Sequence, residues 1–147
     1  MSQWVFWIAT GLGAGTVPIA PGTAGSLVGL ILVFLLSQFS PLVYIAFFIL
    51  ILGVGWYCAG QMERDSGQKD NPAIVIDEIV GMMITGFLIP PGIIFLLVGF
   101  LLFRLFDILK PFPANWIQTH LKGANGIMLD DAVCGVYANL ILQIVWA

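Results

Sequence analysis

The amino-acid sequence predicts an all-α fold, a small polytopic membrane helical bundle in which some helices are short and only partly inserted. Hydrophobic residues make up 60% of the 147-residue chain and charged residues only 9%, whereas a typical soluble domain carries about 25% charged residues. The alternation of apolar and polar residues that is typical of barrel strands is missing from the long apolar runs. Because backbone groups in lipid must be hydrogen-bonded internally, helices are the elements that these runs predict.

The composition also bounds the class of protein. A length of 147 residues suits one domain, so we expect residues 1–147 to form a single membrane-embedded domain. With a net charge of −3 and only five Lys or Arg residues, the chain lacks the basic face that nucleic-acid binding requires. We therefore expect membrane lipids around it and no nucleic-acid partner, and the composition leaves the oligomeric state open.

The apolar runs define the predicted helices in order along the chain. A short segment near 3–10 comes first, and five others follow at 24–38, 41–62, 79–89, 92–106 and 132–147. A helix needs about 20 residues to cross a hydrocarbon core of about 30 Å, and only 41–62 reaches that length comfortably. Because Pro90 and Pro91 favour a helix boundary, the pair 79–89 and 92–106 is predicted to be a shallow hairpin with its charged ends near the membrane surface.

The charged residues are confined to one part of the chain. All eight acidic and five basic residues lie between Glu63 and Asp131. If the uncharged junctions at 37–41 and 89–92 are turns on one side of the membrane, every charged residue falls on the other side. Since Lys and Arg are enriched in cytoplasmic loops, that side is predicted to be cytoplasmic.

Five carboxylates lie at or near predicted helix ends, flanked by apolar sequence: Asp77, Glu78, Asp107, Asp130 and Asp131. A charged group at membrane depth costs about 2.5 to 3.5 kcal/mol on insertion scales, and neighbouring carboxylates also repel one another. A shared divalent cation would offset both penalties, and oxygen ligands without a His or Cys cluster favour Mg²⁺ over Zn²⁺. The alternative is that these are helix N-terminal acids, which the helix dipole favours by about 0.3 to 1 kcal/mol.

Basic residues flank one of these acids. Arg104, Asp107 and Lys110 are spaced by three, which places each beside the next on a helix. The two cations suit a phosphate, with Arg104 offering a planar fork and Lys110 a point charge, while Asp107 suits a metal. The alternative is a local ladder of ion pairs with snorkelling side chains.

A glycine-rich segment at 11–26 leads into the second helix. Small residues allow backbone N–H groups to approach an anion, and a helix N-terminus favours negative charge. Gly22, Thr23 and Ser26 are therefore candidate substrate-binding residues, and Thr23 is the expected N-cap. No Gly-Lys-Ser/Thr sequence follows, so the segment is not a Walker loop.

Four stretches, at 11–26, 74–81, 103–111 and 126–135, together resemble the phosphatidylglycerophosphatase A family, in the family's order. The resemblance implies a Mg²⁺-dependent lipid phosphatase that converts phosphatidylglycerol phosphate to phosphatidylglycerol at the cytoplasmic face of the bacterial inner membrane. It implies that the five acids above bind the metal and that Arg104 and Lys110 meet the phosphate. The expected catalytic residues are Asp77, Asp107, Arg104 and Lys110.

The sequence leaves alternatives open for the attacking group and for the class of function. Asp77 is the first candidate for nucleophile or base, the attacking group being either activated water or a carboxylate that forms an acyl phosphate. A small membrane transporter or channel subunit would place its acids in mid-helix instead. A non-catalytic lipid-binding protein would tolerate Asp130→Asn.

Overall fold

The computed structural model describes residues 1–146, which form seven α-helices, a short 3₁₀ turn at Ala14–Thr16 and no strand. The all-α prediction is confirmed. The predicted segment 132–147 ends at Ala147, which lies outside the described residues. The helices are α1 (Gln3–Ala9), α2 (Pro21–Leu36), α3 (Pro41–Ser66), α4 (Ile76–Gly86), α5 (Ile93–Leu109), α6 (Ala114–His120) and α7 (Gly123–Trp146).

Helix α4 is the centre of the bundle and is buried along nearly its whole length. Helices α2, α3, α5 and α7 pack around it. The closest approaches occur at glycines: a Cβ on Gly81 would lie 2.3 Å from Phe103 Cε1, and one on Gly135 would lie 2.5 Å from the Gly81 carbonyl oxygen. Because small residues let membrane helices approach closely, the first turn of α4 is held within reach of α2, α5 and α7.

Two helices are long and apolar enough to span a membrane, α3 with 26 residues and α7 with 24. Helix α4 has 11 residues and is about 16 Å long at 1.5 Å per residue, which is too short to cross. Large apolar side chains cover the outside of the bundle; Leu42, Ile94 and Ile144 are 77%, 70% and 76% exposed. An apolar outer surface suits a membrane helical protein, as the composition predicts.

The two uncharged junctions meet at one end of the bundle. Phe39 and Pro41 line the same small cavity, of about 80 Å³, as Leu88 and Ile89. The hairpin between α4 and α5 turns here, as Pro90 and Pro91 predict. The acidic residues gather at the opposite end, so the separation of charged and uncharged ends is present in the fold, and its orientation across a membrane stays a prediction.

Three predicted helix starts are wrong. Helix α4 begins at Ile76, three residues before the predicted segment 79–89. Helix α7 begins at Gly123, so Asp130 and Asp131 lie two turns inside the helix and not at its end. The apolar pattern misses this start because the first turns of α7 carry polar residues. Helix α2 begins at Pro21 with Ala20 as N-cap, so Thr23 is the third helical residue; proline is favoured at the first helical position, and this preference outweighs a threonine cap.

Candidate active site

The five carboxylates that the sequence singles out meet in one cavity. Asp77 and Glu78 come from the first turn of α4, Asp107 from the last turn of α5, and Asp130 and Asp131 from α7. All five line a cavity of about 230 Å³. Residues from three helices therefore share one small volume. Two of them, Asp77 and Asp131, are 54 positions apart in the chain.

The segment before α4 is anchored by the N-terminal part of the chain. The Val75 N–H donates to the Ala9 carbonyl oxygen at 2.8 Å. Gly15 lies so close to this segment that a Cβ would stand 1.9 Å from the Ala73 carbonyl oxygen. These contacts fix where α4 begins and therefore where Asp77 and Glu78 project.

The glycine-rich segment reaches the cavity at Gly22. A Cβ there would lie 3.0 Å from Glu78 Oε1 and 3.3 Å from Arg104 Nη1. The Ser26 hydroxyl is buried and donates to the Gly22 carbonyl oxygen at 2.8 Å. Within residues 1–146 the cavity lining includes Gly22 but neither Thr23 nor Ser26, so the structure brings one of the three predicted residues to the site.

Lys110 is the cation at the centre of the acidic cluster. Its Nζ lies 2.7 Å from Asp107 Oδ1, 3.0 Å from Asp130 Oδ2 and 2.8 Å from Asp131 Oδ1. Burial alone would lower the pKa of the ammonium, but the carboxylates of Asp131, Asp130 and Asp107 outweigh it and raise that pKa above its usual value. Lys110 therefore stays charged and joins α5 to α7 across the cavity.

Arg104 is paired with Asp107 on the same helix, as the spacing of three predicts. Its Nε is buried and has no hydrogen-bond partner in the described part of the chain. The local ladder of ion pairs, which the sequence analysis gives as the alternative, is present, and it is also part of the larger cluster through Lys110. The structure thus leaves a guanidinium donor beside the cavity without an acceptor.

Three carboxylate oxygens in the cluster are buried without a hydrogen-bond partner among residues 1–146: Asp77 Oδ1, Glu78 Oε2 and Asp131 Oδ2. Burial, followed by the neighbouring Glu78 carboxylate, raises the pKa of Asp77 well above its usual range. Burial also raises the pKa of Glu78 to about 8. Both shifts arise because negative charge is crowded into a place that water reaches poorly.

The donor set fits a hard divalent cation. Asp77, Asp130 and Asp131 can each offer one oxygen such that the three lie within 4.8 Å of one another. Oxygen ligands of this kind are those that Mg²⁺ and Ca²⁺ take in proteins. A cation here would supply the partners that the buried oxygens lack.

Three polar residues that the sequence analysis did not single out, Asp70, Asn71 and Gln118, also line the cavity. Asn71 belongs to the polar loop between α3 and α4, and Gln118 lies on α6. The Asn71 Oδ1 accepts a hydrogen bond from the Ala73 N–H at 3.0 Å. A polar loop was the only sequence signal for Asn71, and no residue pattern marks Gln118, because its place in the site depends on how α6 packs.

Comparison with known proteins gives consistent results along the chain. Residues 7–146 match the sequence model of a family described as Phosphatidylglycerophosphatase A. A protein of that name from Haemophilus influenzae is 40% identical over 137 residues, covering 92% of this chain and 84% of the relative. Another from Escherichia coli is 36% identical over 139 residues, covering 94% and 81%.

A third relative carries a different name. It comes from Bacteroides thetaiotaomicron, is provisionally named a phosphatidylinositol-3-phosphatase, and is 34% identical over 145 residues, covering 93% of this chain and 90% of the relative. No solved structure matches the chain. The similarities therefore all run over nearly the full length, and all are to proteins named as phosphatases of phospholipids.

Proposed function

Since this chain belongs to the phosphatidylglycerophosphatase A family and is a phosphatase, we propose that it hydrolyses phosphatidylglycerol phosphate to phosphatidylglycerol and phosphate. In this reaction a water oxygen bonds to phosphorus, the bond from phosphorus to the glycerol oxygen breaks, and that oxygen leaves with a proton. The observation that supports the proposal most strongly is the convergence of five carboxylates and Lys110 on one cavity, with Arg104 paired to one of these carboxylates, Asp107.

We further propose that the five carboxylates hold Mg²⁺. Bound there, the cation would supply Lewis-acid polarisation of the phosphate oxygens and neutralise developing charge. The support is local: Asp77 and Asp131 are nine-tenths or more buried, and each keeps one oxygen without a partner. Leaving a buried acceptor unpaired costs about 1–3 kcal/mol, and more for a charged group, which a cation would offset.

Arg104 and Lys110 are the groups that we assign to the phosphate. The unpaired Nε of Arg104 offers a donor, and a guanidinium suits phosphate geometry. Lys110 is held in place by its carboxylates, so it presents charge at the cavity wall without a search over side-chain rotamers. Pro21 and Gly22, at the N-terminus of α2, also line the cavity, and a helix N-terminus favours an anion.

Asp77 is the residue that we assign to the attack. Its Oδ1 is buried and has no hydrogen-bond partner among residues 1–146, and burial raises its pKa well above the usual range of a carboxyl, which favours a role in proton transfer. As a base it would take the proton of the attacking water; as a nucleophile it would form an acyl phosphate that water then hydrolyses. Replacing Asp77 with Asn removes either role.

The placement of the lipid follows from the two ends of the bundle. The acyl chains would stay beside the apolar outer faces of the helices, while the headgroup enters the polar cavity. We propose that this end faces the cytoplasm at a bacterial inner membrane, because all five Lys and Arg residues lie in the segments at that end. Asn71 and Gln118 would then contact the glycerol and the bridging phosphate of the headgroup.

One observation favours a different class of function. Asp130 and Asp131 lie within a helix long enough to span a membrane, which is where a transporter or channel would place its acids. The same two residues also line the cavity together with the polar loop residues Asp70 and Asn71. A site open to a polar loop, in a chain of a phosphatase family, supports lipid hydrolysis over ion passage.

The proposal is tested by phosphate release from purified protein in mixed micelles. We expect release from phosphatidylglycerol phosphate to exceed release from phosphatidic acid and from phosphatidylinositol phosphate, and to stop in EDTA and in Asp77→Asn. Asp65→Asn is the matched control, because Asp65 is exposed on α3 and its carboxylate accepts a hydrogen bond from the Gln61 side chain. Full activity in EDTA would refute the metal site, and phosphatidylinositol phosphate as the best substrate would refute the lipid assignment.

A further inference from the structure

We propose that the cavity binds two divalent cations, with Asp131 as the ligand common to both. This rests on the proposed function, because it concerns the same carboxylates, and it adds how they are divided. The acidic cluster contains two overlapping sets of three carboxylates, and in each set the ligand oxygens lie within 4.8 Å of one another. One set is Asp77, Asp130 and Asp131; the other is Glu78, Asp107 and Asp131.

Each set has its own buried oxygen without a partner. Asp77 Oδ1 belongs to the first set and Glu78 Oε2 to the second, while Asp131 Oδ2 belongs to both. Asp77 is 8% exposed and Asp131 only 1%, whereas Glu78 is half-buried and its Oε2 atom is buried. Unpaired oxygens in both sets indicate two ligand positions.

The two neighbouring acids of α4 belong to different sets. Asp77 and Glu78 are consecutive on α4, so their Cα–Cβ bonds point about 100° apart around the helix axis, although their carboxylates remain near neighbours. Glu78 projects towards Gly22 and Arg104, whereas Asp77 shares its set with the two acids of α7. Two cations would give each of the unpaired oxygens, Asp77 Oδ1 and Glu78 Oε2, its own ligand position.

Lys110 lies between the two sets. Its Nζ contacts Asp130 from the first, Asp107 from the second and the shared Asp131. It uses Asp131 Oδ1, which leaves Oδ2 as the oxygen with no protein partner. The ammonium therefore fixes the orientation of the shared carboxylate.

The charge of the cluster also favours two cations. When all five carboxylates of the cluster are deprotonated to serve as ligands, Arg104 and Lys110 leave three of their negative charges uncompensated. One divalent cation would leave the cluster negative, whereas two would offset all three charges and favour an incoming phosphomonoester. Two-metal sites are a recurrent arrangement in phosphatases, where they stabilise both the attacking and the leaving oxygen.

The test uses Mn²⁺ as the probe on EDTA-treated, full-length protein in a neutral detergent. Equilibrium dialysis counts the ions, and electron paramagnetic resonance shows whether they are spin-coupled. We expect two Mn²⁺ per chain with the signal of an exchange-coupled pair. Glu78→Gln and Asp130→Asn should each reduce the count to one and give an uncoupled signal, and Asp131→Asn should weaken both sites at least tenfold. Asp65→Asn should still bind two.

Several results would overturn the inference, and they are separable from failure of the proposed function. One Mn²⁺ per chain in wild-type protein that still releases phosphate refutes the pair and leaves the function standing. Two uncoupled ions refute the shared ligand. Absence of phosphate release with Mn²⁺ or Mg²⁺ refutes the function itself. The wild-type count does not depend on any variant folding, and circular dichroism checks the variants.

Discussion

Replacing Gly22 with Ala should lower kcat/KM without lowering the free energy of unfolding. Gly22 is a helical residue of α2 with an ordinary backbone conformation, and an added Cβ would lie 3.0 Å from Glu78 Oε1 and 3.3 Å from Arg104 Nη1. Alanine is favoured over glycine in a helix by up to about 1 kcal/mol, so the free energy of unfolding should stay the same or rise. The methyl group nevertheless enters the space between α2 and the cluster.

The magnitude of the loss follows from these distances. Contacts of this length require the neighbouring atoms to move by a few tenths of an ångström, and both neighbours are ends of flexible side chains. A misplacement of about 1 Å can cost about 100-fold in rate, so a shift of a few tenths should lower kcat/KM about three- to tenfold. Because Glu78 is displaced, more Mg²⁺ should be needed for half-maximal activity.

Gly53→Ala is the control, because Gly53 is an exposed helical residue of α3 and an added Cβ would meet no atom within 4 Å. The assay is phosphate release over a range of substrate and Mg²⁺ concentrations, with thermal unfolding of both variants alongside. Wild-type kcat/KM in Gly22→Ala would refute the view that Gly22, Glu78 and Arg104 form one wall of the active cavity. An equal loss in Gly53→Ala would refute it as well.

Three further predictions concern other walls of the cavity. Lys110→Gln removes the ammonium from three carboxylates and should lower the free energy of unfolding by about 3–5 kcal/mol in EDTA. Thermal unfolding measures this loss, and Mg²⁺ should restore part of it. An unchanged free energy of unfolding in EDTA would contradict the prediction. Gln118→Leu should raise KM for phosphatidylglycerol phosphate and leave KM for phosphatidic acid unchanged, because only the first lipid has a headgroup glycerol for Gln118 to contact. Equal changes in KM for both lipids would contradict a role of Gln118 in headgroup binding. The pKa of Glu78 is about 8 without a cation, so Mg²⁺ must displace a proton below that pH. Affinity for Mg²⁺, measured by calorimetry, should therefore rise from about pH 7 to about pH 9, and a flat profile would mean that Glu78 is not a ligand.

Local spacing in the sequence predicts the parts of the site that lie on one helix. The spacing of three places Arg104, Asp107 and Lys110 in contact, and the structure has both ion pairs. The prolines at 90 and 91 predict the turn between α4 and α5. In each case the interaction spans one or two helical turns, so residue spacing alone determines which groups can meet.

Local residue spacing does not predict contacts between segments that are far apart in the chain. Lys110 reaches Asp131, which is 21 residues away, only because Gly81 and Gly135 let α4, α5 and α7 pack closely. Helix α7 begins earlier than its apolar run, and this early start places Asp130 and Asp131 two turns inside the helix, where they line the cavity. Gly22 matters because it has no side chain, which leaves room for Glu78 and Arg104 beside it. A sequence motif for hydroxyl or backbone donors does not reveal this.

The most direct test of the account is the anomalous diffraction of Mn²⁺ in crystals of the protein. The account predicts manganese peaks inside the cavity lined by Asp77, Glu78, Asp107, Asp130 and Asp131, with Asp131 bound to each. Peaks elsewhere, or a cavity without manganese in protein that still releases phosphate, would contradict it.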